Sequence, residues 1–257
     1  MSSEIRNCIA PDRNPRRPDI RLPVGAIDTH VHVFEDRYPL SPRRGYNPPQ
    51  SSLADLEHLH ETLGVDRVVF TQPSVYGIDN AAIMDGMEAL NAESPGRARA
   101  VIACSLDISD QQLADFDAAG VRGVRLNTDN KGGMPFAMNQ IPELAARIAP
   151  FGWHVEFLFP GPDIVDLMPI FEALTVPMSI AHFAYQPAID GVSAPGFQSL
   201  LNLVQSGNAW IKISGANRVS ETDLPPYDDV KPMAETLIKV APDRIMWGTD
   251  WPHPNKY

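Results

Sequence analysis

Asp28-Thr29-His30-Val31-His32, near the amino terminus, and Gly248-Thr249-Asp250-Trp251-Pro252-His253, near the carboxyl terminus, are the stretches whose reading decides the fold. Each follows a short apolar, strand-like run, so each reads as the carboxyl end of a β-strand, the end where α/β barrels place their chemistry. If they belong to the first and last strands of one barrel, closure makes them neighbours. His30 and His32 are two apart, which in a strand sends both side chains to one face, here the interior, and Asp28 shares their parity. Two imidazoles and a carboxylate make poor packing material, because a buried polar group without a partner costs about 1–3 kcal/mol. That cost favours a functional reading.

Outward from these stretches, short β-rich runs alternate with longer runs of helical periodicity, the pattern of a parallel sheet with crossover helices. Strands are expected at 26–34, 67–71, 98–103, 123–126, 153–159, 177–182, 209–213 and 244–247. Helices are expected at 53–63, 80–92, 110–119, 141–149, 163–174, 196–205 and 227–240. Ser51 or Ser52 caps the first, Asp79 the second and Ser109 the third. The result is an α/β fold, a (β/α)8 TIM barrel without its last helix. Because the chain stops at Tyr257, either it is cut short or a neighbour closes that side, which leaves room for a homo-oligomer. Residues 1–23 read as a Pro/Arg-rich tail and 24–257 as one barrel domain.

At 257 residues and 44% hydrophobic content, the chain can bury about 70–75% of the surface its unfolded form exposes. A net charge of −11 argues against a general nucleic-acid binder or a binder of anionic membranes. An anionic substrate therefore has to meet a local basic cluster. Cys8 in the tail and Cys104 in an apolar run read as one exposed and one buried thiol, not as a disulfide framework or a thiolate metal site. The tail has no apolar core of a signal peptide, and no run approaches the roughly 20 residues of a spanning helix. A soluble, cytoplasmic protein is expected. The 25 prolines, about twice the average share, gather in the tail, in 38–49 and beyond strand ends, where they stiffen loops.

A third histidine, His182, closes the strand Met178-Ser179-Ile180-Ala181, and Asp250 closes the eighth. Three imidazoles and a carboxylate at one barrel mouth can hold a divalent metal such as zinc or can activate water unaided. The spacing permits both.

His-x-His after the first strand, His after the sixth and Gly-Thr-Asp-Trp-Pro-His-Pro-Asn at the eighth resemble the amidohydrolase superfamily. More narrowly they resemble its branch that contains 2-pyrone-4,6-dicarboxylate lactonase. Supporting segments are Gly25-Ala26-Ile27-Asp28, Ser41-Pro42 with Tyr46, Gly77-Ile78-Asp79-Asn80-Ala81-Ala82, Arg122-Gly123-Val124-Arg125 and Gly152-Trp153-His154-Val155. Together they span about residues 24 to 255. The resemblance implies opening of a small carboxylated lactone in the catabolism of aromatic compounds or sugar acids. It implies Asp250 as general base, His30, His32 and His182 as the imidazoles that polarise the carbonyl, and substrate contacts from Arg125, Arg218, Tyr46 and Ser74.

Those roles agree with the chemistry, since ester hydrolysis needs a base for water and donors where the carbonyl oxygen gains charge. An arginine fork matches a carboxylate in two hydrogen bonds. Three departures from the branch stand out. Lys131 is the substitute for a second basic residue after Arg125, Leu158 stands where the lactonase has a tyrosine, and Phe183-Ala184-Tyr185-Gln186 replaces a glycine and an arginine. Fewer cations imply a substrate with fewer or differently placed carboxylates. The fifth strand, His154-Val155-Glu156-Phe157-Leu158-Phe159, offers neither a histidine nor a lysine at its carboxyl end, so a metal would rest on His30, His32 and Asp250.

Other polar residues have plainer readings. His58 and His60, two apart on a helix, read as solvated; His154 as a structural hydrogen bond; Glu156 as the partner of an interior Arg or Lys. Asp28 reads as a partner to a histidine, His253 as orienting the base or packing the loop, and Trp247 and Trp251 as packing. Rival functions on the same barrel are a zinc-dependent hydrolase, a non-oxidative decarboxylase, and a barrel without activity.

Overall fold

In a computed structural model that describes residues 5–130 and 132–256, an eight-stranded parallel sheet curls around the site. The strands are β1 (Arg6–Asn7), β2 (Ile27–Val31), β3 (Tyr46–Asn47), β4 (Arg67–Thr71), β5 (Ala98–Ile102), β6 (Val121–Asn127), β7 (His154–Leu158), β8 (Met178–Ile180), β9 (Ala209–Lys212) and β10 (Ile245–Met246). The helices are α1 (Leu53–Leu63), α2 (Ala81–Glu93), α3 (Asp110–Ala119), α4 (Ile141–Ile148), α5 (Ile164–Ala173), α6 (Pro195–Gln205) and α7 (Lys231–Val240). The large sheet runs β10-β9-β8-β7-β6-β5-β4-β2, so chain order and spatial order coincide, as in a (β/α)8 barrel.

β2 and β10 share no ladder, yet the barrel closes just beyond them. Val31 bridges Trp251 in parallel, the His32 N–H donates to the Trp251 carbonyl at 2.9 Å, and the Asp250 N–H donates to the His30 carbonyl at 2.9 Å. Gly248 is required at this seam, because a Cβ there would lie 2.9 Å from the His30 nitrogen. The two ends of the chain thus become neighbours through backbone hydrogen bonds.

Local chemistry explains most element ends. Ser52 and Ser109 open α1 and α3 with capping boxes completed by Asp55 and Gln112, each cap worth about 1 kcal/mol. The cap position of α2 falls on Asn80, one residue later than expected, and Asp79 before it accepts from the Ala81 N–H at 3.1 Å. The last helix begins at Lys231, four residues later than expected, because Tyr227 adopts φ +54°, outside the right-handed helical region. On α4, Ile141, Leu144, Ala145 and Ile148 form the buried stripe of an amphipathic helix.

Part of the tail joins the fold: β1 pairs in parallel with β3 and brings Cys8 to the Asn47 carbonyl at 2.9 Å. Cys8 is consequently half-buried, not exposed, while Cys104 is buried. Among the described residues no helix is long and apolar enough to cross a membrane.

Candidate active site

β2 carries His30 inside the barrel and His32 just past its end, and β8 leads through Ala181 into His182. His182 opens a four-residue run to Tyr185 with φ of 53°, 54°, 53° and 50°. Left-handed backbone costs roughly 1–2 kcal/mol per residue, so the strain is concentrated where a side chain must be aimed at the mouth. Asp250, at φ +59°, stands on the seam beside His30. Arg125 projects from β6, and Arg218 ends the short turn Ala216–Arg218 that follows β9.

These groups surround a tight cavity lined by His32, Tyr46, Ser74, Arg125, His182, Arg218 and Asp250, all expected from the sequence. His30 lies beneath the lining, its ring centroid 5.0 Å from that of His32 and 4.6 Å from that of His182. Lys131 lies outside the described residues. Tyr185, Asn127, Asn130 and Asn255 complete the wall and were not anticipated. Tyr185 stacks on His182 at 5.8 Å, and the one hint of it was its place in the segment that departs from the lactonase pattern.

Asp250 is asymmetric. Its Oδ2 accepts from Arg218 Nε and Nη2, both at 2.7 Å, whereas its Oδ1 has no hydrogen bond. That free oxygen faces Nε2 of His182 at 3.4 Å, of His30 at 3.8 Å and of His32 at 3.9 Å. Burial alone would raise the Asp250 carboxyl, but the Arg218 guanidinium and the His182 ring outweigh it and hold the group well below the usual carboxylate range. Burial drives His32 and His182 each down to about 3, and His30 well below the ordinary histidine value, so all three rings are neutral at pH 7. Arg125 donates from Nη1 to the Gln72 carbonyl at 2.8 Å, while its buried Nε makes no hydrogen bond. Tyr46 is buried and hydrogen-bonded to Ser74, and burial raises its phenol.

One layer deeper, Glu156 on β7 is gripped by Lys212 on β9 and lies 3.8 Å from Arg125 Nε. It is the partner of interior cations, as expected. His154 makes its structural bond, with Nδ1 2.8 Å from the Arg122 carbonyl. His60 corrects its reading: it is buried, not solvated, because Leu56 and His60, four apart, share the face of α1 that packs on the barrel. Its Nε2 meets Asp28 Oδ2 at 3.3 Å. Asp28 also takes the Thr249 N–H at 2.9 Å, so it ties α1 to the seam. His253 donates its backbone N–H to the Asp250 carbonyl at 2.7 Å; Trp251 is buried, and Trp247 is 40% exposed.

The family model described as Amidohydrolase matches residues 27–256. The chain belongs to the amidohydrolase family. It is 36% identical over 252 residues to the 2-pyrone-4,6-dicarboxylate hydrolase of Comamonas testosteroni, covering 94% of this chain and 81% of that one. It is 34% identical over 249 residues to the 4-sulfomuconolactone hydrolase of Hydrogenophaga intermedia, covering 96% and 80%. A crystal structure from Agrobacterium tumefaciens superposes with a TM-score of 0.82 at 29% identity, covering 93% of this chain and 86% of the other.

Some amidohydrolase-family barrels hold zinc, so the donor set needs testing here. His30, His32 and Asp250 each offer an atom, all within 4.8 Å of one another. A metal-bound histidine ordinarily donates its second ring N–H to a carbonyl or carboxylate. His32 meets this condition, with Nδ1 2.7 Å from the Thr71 carbonyl. His30 does not, because its Nδ1 lies 3.3 Å from the Lys212 ammonium, which can only donate, and makes no hydrogen bond with the nearest carboxylate oxygen, Glu156 Oε1 at 3.5 Å. A neutral His30 held in this way carries its proton on Nε2, where a metal needs a lone pair. The residues present do not fit a resident divalent metal.

Beneath the lining, Lys212 also went unanticipated. Its only signal was a lysine inside the apolar run Ala209-Trp210-Ile211-Lys212-Ile213.

Proposed function

We propose that this chain hydrolyses a small lactone bearing a carboxylate, with Asp250 as the base that takes a proton from the attacking water. The observation that carries the reading is Asp250 Oδ1, buried, without a hydrogen bond and faced by three neutral imidazoles at 3.4–3.9 Å. A carboxylate oxygen left unpaired in a nearly dry gap is costly unless a substrate or water completes it.

In this scheme a water in the gap gives its proton to Asp250 Oδ1 as its oxygen adds to the ring carbonyl. Imidazole N–H donation meets the charge that develops on the carbonyl oxygen. The bond from carbonyl carbon to ring oxygen then breaks, and the proton on Asp250 passes to the leaving oxygen. Arg218 keeps the base ionised and oriented, at the cost of intrinsic basicity, so the rate gain comes from positioning in a water-poor site. Arg125, which lines the cavity, takes the substrate carboxylate through its guanidinium, and Tyr46 and Ser74 flank it. The names of the two relatives, hydrolases of a pyrone dicarboxylate and of a muconolactone, agree with an anionic ring ester.

The test is a hydrolysis screen over pyrone, muconolactone and aldonolactone substrates, with and without chelator. Ring opening that releases one acid per turnover, unchanged by chelator, is expected. Release of carbon dioxide, or no turnover on any lactone, would overturn the reading, and activity lost to chelator and restored by zinc would overturn its metal-free form.

A further inference from the structure

Lys212 approaches the site from below and touches no part of the cavity lining, yet its ammonium is fully committed. Its three hydrogens have three acceptors: the Thr29 carbonyl at 2.7 Å, Glu156 Oε2, and His30 Nδ1 at 3.3 Å. An ammonium has no lone pair, so a hydrogen on His30 Nδ1 would meet another hydrogen, and Glu156 Oε1, 3.5 Å from the same nitrogen, makes no hydrogen bond with it. Glu156, its carboxyl lowered by Lys212 and Arg125 against the effect of burial, is ionised beside it and keeps the lysine charged. The neighbouring ring is oriented the opposite way, since His32 Nδ1 lies 2.7 Å from the Thr71 carbonyl, which can only accept.

We infer that Lys212 is a positioning residue that fixes His30 with its proton on Nε2, making His30 the hydrogen-bond donor and His32 the bare acceptor at Asp250. The two rings are chemically alike and two residues apart, and their second-nitrogen partners give them opposite roles. His30 Nε2 is buried and without a hydrogen bond, as a donor reserved for an oxygen of substrate or water must be. His32, presenting a lone pair, cannot polarise a carbonyl and instead accepts from the attacking water. The catalytic consequence rests on the lactone-hydrolase reading above, whereas the proton positions do not.

The test begins with the unmodified protein, labelled with 15N in its histidines, whose ring nitrogens report protonation by NMR. His30 protonated on Nε2 and His32 on Nδ1 is the expected result; His30 protonated on Nδ1 overturns the inference whether or not any lactone is turned over. The second arm is Lys212→Met combined with Glu156→Gln, which removes both charges of the buried pair together. His30 should then move its proton to Nδ1, and kcat on a confirmed lactone should fall about 10²-fold with KM changed less than about threefold, the scale of losing one oxyanion donor. A switched proton with unchanged kcat would overturn the positioning role, as would an unswitched proton in a folded double variant.

Discussion

Two polar layers occupy the barrel interior, and they differ in what they leave unfinished. In the upper layer, Asp250 Oδ1 and Arg125 Nε are buried without hydrogen bonds, and His30 Nε2 points up into the same gap. In the lower layer, the Lys212 ammonium and the Asp28 carboxylate are saturated, while Glu156 Oε1 lacks a hydrogen bond but sits within 3.8 Å of His30 Nδ1 and Arg125 Nε. Orphaned groups cost stability, so their concentration at the mouth marks the atoms kept for a substrate, while the saturated layer holds those atoms in place. Substitution of Glu156 alone in the lower layer should therefore act mainly on stability, and substitution at the mouth chiefly on rate.

The sharpest break of this division is Asp250→Asn. Turnover should fall at least about 10³-fold, the upper range for loss of a general base, and stability should fall as well because Arg218 loses its buried counter-ion. Stability lost with turnover largely kept would place Asp250 with the supporting layer. Glu156→Gln should act mainly on stability by leaving the Lys212 charge buried without its counter-ion, which costs about 3–5 kcal/mol in urea unfolding. A smaller cost would mean that water reaches the pair.

The upper layer also carries a pH signature. His32 and His182 titrate near 3 in the folded protein, against an ordinary value of 6.5. Between those values the unfolded chain takes up protons that the folded chain refuses, so stability should fall steadily as pH drops from 6.5 towards 3. His182→Asn should flatten that slope, and an unchanged slope in unfolding free energy would show that the ring is not held neutral by burial. Smaller still, Arg125→Gln should raise KM for a carboxylated lactone about 10- to 100-fold and leave an uncharged lactone nearly untouched. Equal effects on both would remove Arg125 from substrate recognition.

The same division explains what could be read from the chain. The upper layer was legible because its chemistry is written in short strings, His30-Val31-His32 and Gly248-Thr249-Asp250, which barrel closure brings together. The lower layer was less so, since Lys212 and Glu156 lie 56 residues apart on strands separated by β8. Glu156 signalled an interior partner by its parity, but nothing local identified which cation supplies it. His60 was misplaced because spacing relative to His58 says only that the two face apart, not which of them faces the barrel. Tyr227 hid the true start of α7 because a positive φ has no signature in a non-glycine residue.

The central claim is that Asp250 delivers water to a ring carbonyl, and turnover of a confirmed lactone in 18O-labelled water tests it most directly. The account predicts one labelled oxygen in the newly formed carboxylate with the native protein and almost none in the same time with Asp250→Asn. Product without label, or undiminished labelling by the variant, would contradict it.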